Sequence, residues 1–390
     1  SFLGRVCGAM CGLSFLLLFE TPLTLSPRLA LPVGARVAAA VGPPVVDAAL
    51  SEPTAEDGYR SRADLKRGIA SFYDGSSALW ERVWGEHMHH GYYPAGSKRK
   101  DHVKAQSDMI DEVLLWARGG GEAAPRRVLD VGCGVGGSTR HIARAFGCDG
   151  VGITLSPYQA KRANELSAAA GLGDQLSFQV ADALEMPFPD ESFDLVWSLE
   201  SGEHMPDKEK FVSELTRVLR PGGRLILVAW THRDLVAGEA ELRPEEQRLL
   251  RRISRAYYLP RWCSVADYTR LLTAKGMGGM RRDDWTSNVA RFWPAVIASS
   301  FRPKSILGLF RSGWSTLRGA LVMPLMIRGQ KKGTIRFGLV TACKPIAPGG
   351  ISAGGATAAV PRAPPPRAAT SLAAAAAEAK AAAAAARAAA

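Results

Sequence analysis

The sequence predicts an α/β protein. The expected architecture is a mostly parallel, doubly wound sheet with helices on both faces, an N-terminal helical flap and an inserted helical cap. Three observations predict it. Between Arg126 and Trp230, short apolar runs alternate with amphipathic stretches in a strand–helix rhythm. The first of these runs feeds a glycine-rich turn that opens straight into a helix. On either side of this region, apolar residues recur at helical spacing.

Residues 1 to about 60 read as a targeting leader. The apolar run "CGLSFLLLF" (11–19) is too short to span a bilayer and resembles a signal-peptide core. From there to residue 50 the chain is rich in Ala, Pro and Val, with Glu20 and Asp47 as its acids. A signal-like core followed by an acid-poor stretch suits a two-part leader into a plastid enclosed by extra membranes. A plain secretory signal or a membrane anchor is the alternative. The chain opens on Ser, so an initiator Met is missing or trimmed.

The flap covers 61–125. Within it, "LKRGIASFYDGSSALWERVW" (65–84) predicts helix, turn, helix, because Asp-Gly-Ser-Ser interrupts the periodicity. "VKAQSDMIDEVLLWAR" (103–118) predicts a second helical stretch, closed by "GGGEAAP". The core covers 126–240. Its expected strands are "RVLDVG", "GVGIT", "LSFQVA", "FDLVWS" and "RLILVAW". Its expected helices are "GSTRHIARAF", "SPYQAKRANELSAAAG" and "DKEKFVSELTRVL". The second of these has Ser156 as N-cap, Pro157 in the first turn and Gly171 as the stop. "RPGG" ends the third.

After Trp230 the rhythm breaks. The segment 241–346 reads as a substrate cap and final strands: helices at "RPEEQRLLRRISRAYYL" and "SVADYTRLLTAKG", basic-rimmed amphipathic stretches at 288–301 and 305–321, and a last strand at "TIRFGLVTACK". The tail, 347–390, is Gly/Ala/Pro-rich and then poly-Ala, and cannot bury enough to fold alone.

The chain has 390 residues, 47% of them hydrophobic, and nine Trp, ample for a sizeable core. Its 49 Lys and Arg against 37 Asp and Glu give a net charge of +12. In the C-terminal half the basic residues are interleaved with bulky apolar ones and no nucleic-acid motif is present. The charge therefore points to an anionic membrane surface ahead of nucleic acid. The six cysteines, Cys7, Cys11, Cys133, Cys148, Cys263 and Cys343, form no C-x-x-C pair and no zinc spacing. Beyond the leader they read as free thiols in a reducing compartment.

"VLDVGCGVGGSTR" (128–140) carries the strongest chemical signal. Glycines let backbone approach a ligand, and the following helix N-terminus offers free N–H groups. Gly132, Gly134 and Gly137 satisfy G-x-G-x-x-G, so a nicotinamide-binding fold is formally open. Asp130, two residues before the first glycine, stands where dinucleotide folds want an apolar residue, and can hold an amino-acid head group. Thr154 ends the next strand where a ribose-gripping acid is expected, which counts against both readings. Asp182, just after the third strand, can accept from an adenine's exocyclic amine, and Ala183 can offer a backbone contact.

"VLDVGCGVGG", "ADA…PFPD…SFDLVW" and "LRPGGRLIL" resemble the three sequence blocks of class I S-adenosylmethionine-dependent methyltransferases. "GIASFYDGSSALWERVWGEHMHHGYYPAG", "GITLSPYQAKRANELSAAAGLGDQLSFQVADALEMPFPD", "LVWSLESGEHMPDKEKFVSELTRVL" and "FWPAVI…ALVMPLMIRGQKKGTIRFGLVTACKP" are similar to gamma-tocopherol methyltransferases. This second resemblance runs from about Leu65 to Pro345 and includes the variable substrate region. It implies S-adenosylmethionine as cofactor, S-adenosylhomocysteine as product and no metal. The implied cofactor residues are Asp130, Gly132, Cys133, Gly134, Gly136, Thr154, Leu155, Asp182, Ala183 and Tyr73. The implied acceptor is a lipophilic chromanol, methylated on a ring carbon beside the phenol oxygen: gamma- to alpha-tocopherol, delta- to beta-, in vitamin E biosynthesis.

A neutral phenol ring is a poor nucleophile, so a positioned base is expected. "ESGEHM" (200–205) follows the fourth strand at the sheet edge where ligands bind. His204, oriented by Glu203 or Glu200, is the candidate base; capping of the next helix is the competing role.

"GEHMHHGYY" (85–93) gathers Glu86, His87, His89 and His90 within five positions. Metal ligation, histidines packed under a flap, and a flap that lines the chromanol pocket are the three readings. The third is preferred, with His87, His89, His90 and Tyr92 facing substrate, Tyr73 near the cofactor and closure excluding water.

The phytyl tail requires a bilayer. The segment 305–332, with Trp314 and five Arg or Lys, suits a peripheral contact with the plastid envelope or thylakoid, or an ordinary cap whose apolar side is core. Rival functions are methylation of a prenylated benzoquinol or of a small amine, a non-catalytic cofactor- or membrane-binding protein, and a nicotinamide oxidoreductase.

Overall fold

The computed structural model describes residues 60–96, 101–118, 122–300 and 314–346; side chains of 299–300 and 314–320 are outside this description. The expected leader up to residue 59, the low-complexity tail and the 305–313 part of the interfacial stretch lie outside the described residues.

The chain opens on α1 (Arg62–Trp84) and α2 (His102–Arg118). Then come β1 (Arg127–Val131), α3 (Gly137–Phe146), β2 (Asp149–Thr154), α4 (Pro157–Ala169), β3 (Leu176–Val180) and β4 (Phe193–Leu199). A 3₁₀ turn (Gly202–His204) leads into α5 (Lys208–Val218) and β5 (Leu219–His232). The remaining elements are α6 (Pro244–Tyr257), α7 (Val265–Ala274), β6 (Gly278–Asp284), α8 (Thr286–Val289), α9 (Phe292–Ser300), α10 (Trp314–Lys331) and β7 (Ile335–Cys343).

The sheet order is β3-β2-β1-β4-β5-β7-β6. The first five strands are parallel, and β7 runs antiparallel to both β5 and β6. Side chains alternate between two cores, as the pleat requires. Val128, Leu195, Trp197, Ile226 and Val228 join one core with α2, α6, α9 and α10. Leu129, Val131, Val196, Leu225 and Leu227 join the other with α5 and α7. This is the expected doubly wound α/β sheet. All six expected strands form, with β5 starting at Leu219.

Two elements differ from expectation. Residues 62–84 form one continuous helix. The Ser76 and Ser77 hydroxyls donate to the carbonyls of Phe72 and Tyr73 at 2.7 and 2.6 Å, and Asp74 accepts from the Ser156 hydroxyl. The polar run thus bonds back into its own helix and across to α4 instead of turning the chain. The other is β6, "GGMRRDD", which has no apolar run. It is an edge strand with mostly exposed side chains, and its charges suit that place.

Candidate active site

The strand order reverses between β1 and β4, so their carboxyl ends flank a crevice. The turn after β1 needs its glycines. Gly132 has φ +84°, and a Cβ there would stand 2.3 Å from Ser201 Cβ. Gly134 has φ +53°, with Met88 Sδ 3.3 Å from where its Cβ would be. The backbone is thus held between the β4 turn and the "GEHM" segment. α3 begins immediately afterwards with no side-chain cap, so Gly137 and Ser138 line the cleft at its N-terminus.

The cleft brings together most of the expected cofactor residues: Asp130, Gly132, Cys133, Gly134, Thr154, Leu155, Asp182, Ala183 and Tyr73. Gly136 is the exception. A Cβ there would meet the Phe178 ring at 2.7 Å, so it packs α3 onto β3 beneath the cleft. Asp130 is buried and accepts from the Thr139 hydroxyl at 2.6 Å. Burial pushes its carboxyl up to about 7. The Thr154 hydroxyl donates to Gln159 Oε1 at 2.7 Å. Asp182 accepts from the Leu184 N–H at 3.0 Å and pairs with Arg62 and Lys66 of α1 at 3.3 and 3.2 Å. These bonds hold its carboxyl below the usual range despite partial burial.

The carboxylates expected to orient His204 do other things. Glu200 lines the cleft, but its carboxylate binds His90: Oε1 accepts from the backbone N–H at 2.6 Å and Oε2 stands 2.5 Å from Nδ1. Glu203 is outside the cleft lining, and burial, with Glu200 nearby, pushes its carboxyl up to about 8. His204 lines the cleft, with Nε2 3.1 Å from the Tyr73 hydroxyl. Burial and Lys208 lower His204 to about 4, so its ring is neutral at pH 7. Lys208 is itself buried and donates to the Gly202 and Glu203 carbonyls, fixing the 3₁₀ turn.

The histidine segment divides. His87 and His89 line the cleft; His90 and Tyr92 do not. His90 packs among Trp230, Phe292, Trp293 and Phe337. Tyr92 packs against Trp285. The segment is tied down at several points. Arg140, almost fully buried, donates to Glu86 at 2.7 and 3.1 Å, and Gln106 Nε2 donates to the His87 and His89 carbonyls. It is a fixed strap, and α1 forms the rest of the cover. Among the described residues no cluster of three or more His, Cys, Asp or Glu is arranged to hold a metal ion.

Met88, Gln159, Ser201, Arg62 and Lys66 also line the cleft and were missed. Only Gln159 left a sequence signal: an amide in the first turn of a helix that opens at a strand end.

The reversed final strand pair beside a five-stranded parallel half, with the glycine turn at the switch point, is the class I methyltransferase architecture. A family model described as "Methyltransferase domain" matches residues 129–227. A solved geranyl diphosphate C-methyltransferase from Streptomyces coelicolor A3(2) shares the fold, with a TM-score of 0.57 at 19% identity over 72% of this chain and 98% of its own. The "Tocopherol O-methyltransferase, chloroplastic" of Arabidopsis thaliana is 53% identical over 289 residues, 72% of this chain and 83% of its own. Its Oryza sativa subsp. japonica counterpart, named "Probable tocopherol O-methyltransferase, chloroplastic", is 56% identical over 285 residues, 72% of this chain and 79% of its own. The chain belongs to the tocopherol O-methyltransferase family.

Membership implies S-adenosylmethionine, and the cleft fits it. Glycine backbone leaves room where side chains would collide, carboxylates stand at the β1 and β3 ends, and an uncapped helix start lies between strap and glycine turn.

Proposed function

We propose that this chain methylates the chromanol ring of tocopherols at the carbon beside the phenol oxygen, gamma to alpha and delta to beta. One observation carries this reading: identity of 53–56% to tocopherol methyltransferases over 285–289 residues, far more than the stretch 129–227 that the methyltransferase domain model matches.

Bound S-adenosylmethionine supplies an electrophilic methyl group on a sulfonium. Asp130 and the turn at Gly132 and Gly134 would hold its amino-acid end. Thr154, Leu155 and Gln159 stand where the ribose would lie, and Asp182 and Ala183 where the adenine would lie. Glu200, Ser201 and His204, which follow β4 and line the cleft, would face the transferring group. α1 and the strap exclude water. A phenol's ordinary pKa of about 10 makes proton removal the chemical demand on this end of the site.

The relatives' names place them in the chloroplast. The acid-poor stretch before residue 50 supports plastid import of this chain too. We assign a peripheral membrane contact to α10, which buries Met323 and Met326 while exposing Leu321, Pro324, Arg328 and Lys331. No helix among the described residues is long and apolar enough to cross a membrane.

The test incubates the protein with methyl-labelled S-adenosylmethionine and, separately, gamma-tocopherol, delta-tocopherol, a prenylated benzoquinol and dimethylglycine. Labelled alpha-tocopherol, with its phenol free, is the expected product. A labelled methyl ether would move the acceptor to oxygen, the atom in the relatives' names. Label only in the quinol or amine would overturn the substrate assignment.

A further inference from the structure

α1 covers the cleft with one face and leans on the end of α6 with another. Arg62, Leu65, Lys66, Ile69, Ala70 and Tyr73 line the cleft, and their spacing of three and four residues puts them on one side of the helix. Gly68 lies off that side, against the ring of Tyr258. A Cβ at Gly68 would stand 2.1 Å from Cδ1, 2.5 Å from Cε1 and 2.9 Å from Cγ of that ring, where ordinary contact begins near 3.4 Å. The ring therefore sits in a notch that only glycine leaves open. Glycine inside a helix costs about 1 kcal/mol relative to alanine, so close approach is what the position gains.

The α6 side of this contact is fixed. Tyr258 caps α6 in the left-handed region, φ +55°, and its N–H donates to the Ser254 carbonyl. The residues that follow are anchored: Leu259 is buried, and buried Trp262 donates from Nε1 to the Ser254 hydroxyl at 3.0 Å. Arg60, just before α1, clasps the contact. Its guanidinium lies 4.5 Å from the centre of the Tyr258 ring and donates to the Ser254 and Arg255 carbonyls at 3.4 and 2.9 Å. One turn beyond Gly68, Phe72 meets Tyr257 edge-on, with ring centroids 6.4 Å apart.

We infer that Gly68 is a positioning residue for the cofactor: by admitting the Tyr258 ring it seats α1 against α6 and so sets how closely α1 covers the cleft. A methyl at 68 has to move from 2.1 Å out to at least about 3.4 Å from the ring, carrying the helix with it. α1 is one continuous helix, so the shift reaches Leu65, Ile69 and Tyr73 together. Misplacement of binding groups by roughly 1 Å can cost up to about 10²-fold. Gly68 acts on the cofactor end of the chemistry, so its role is the same whichever acceptor is methylated.

The experiment measures S-adenosylhomocysteine binding by calorimetry and its release by displacement kinetics, in wild type, Gly68→Ala, Tyr258→Gly and the double variant. The melting temperature of each apo protein is read alongside. Helix propensity alone makes Gly68→Ala neutral or stabilising. The substitution should instead weaken S-adenosylhomocysteine binding by roughly tenfold, mostly through faster release. In the Tyr258→Gly background, where the ring is gone, it should change binding by no more than about twofold. Equal losses in both backgrounds, or no loss in either, overturn the assignment. Should Gly68→Ala fail to fold, the double variant should recover folding and binding to the level of Tyr258→Gly, and failure to recover overturns it too. Arg60→Ala unclasps the ring without a clash and should speed release several-fold; unaltered release counts against the brace. A wild type that does not bind S-adenosylhomocysteine removes the cofactor reading and this inference with it.

Discussion

Asp130 shows what a single buried carboxyl costs the empty fold. Its folded-state value of about 7 lies far above that of an exposed Asp, near 3.9. Between those values the folded protein holds a proton that the unfolded chain gives up. Its contribution is therefore fully present below about pH 4 and is lost as pH rises through about 7, by roughly 4 kcal/mol as an upper bound. Asp130→Asn should flatten the decline in apo-protein stability over that window, measured by chemical denaturation at several pH values. An unchanged slope would remove Asp130 from the account. Asp130 was legible because an acid two residues before a glycine turn departs from a known pattern. The partnership of Glu200 with His90 was not. One positive φ decides it, by turning the carboxylate from the 3₁₀ turn to the strap, and no residue spacing encodes that choice.

At the scale of elements, the sheet was readable strand by strand because each parallel strand is an apolar run bounded by turn residues. α1 and β6 were not. The Asp-Gly-Ser-Ser run looks like a turn until its hydroxyls find carbonyls one turn back, and an edge strand of charged residues looks like a loop. α1 is also the cleft's only helical cover among the described residues, and Asp182 ties it down through Arg62 and Lys66. Both pairs are partly exposed, so each contributes at most about 1 kcal/mol. Yet they occupy the carboxylate proposed to receive the adenine amine. Arg62→Ala combined with Lys66→Ala should leave the melting temperature nearly unchanged and speed release of bound S-adenosylhomocysteine several-fold, read by displacement kinetics. Unaltered release would show that α1 does not gate the cleft.

For the molecule as a whole, the proposed membrane contact would combine the surplus of positive charge with the exposed stripe of α10. Basic side chains near an anionic leaflet add roughly 1 kcal/mol each, falling off with salt. The protein should float with phosphatidylglycerol-containing liposomes at low salt, stay behind with neutral ones, and release as salt rises. Leu321→Glu combined with Lys331→Glu should weaken flotation and spare S-adenosylhomocysteine binding. Protein that remains in solution with both vesicle types would return α10 to the role of an ordinary cap.

The place of β7 bears on how the polypeptide acquires this form. It is the last described strand to leave the ribosome, yet it lies between β5 and β6. β6 is complete about fifty residues before the strand that gives it a neighbour. Until Cys343 emerges, β5 offers an open hydrogen-bonding edge along nine residue positions, and β6 has nothing to pair with. Such an edge is the kind that recruits foreign strands. Nascent chains should therefore depend on holding chaperones late in synthesis, with cooperative closure following arrival of the final strand.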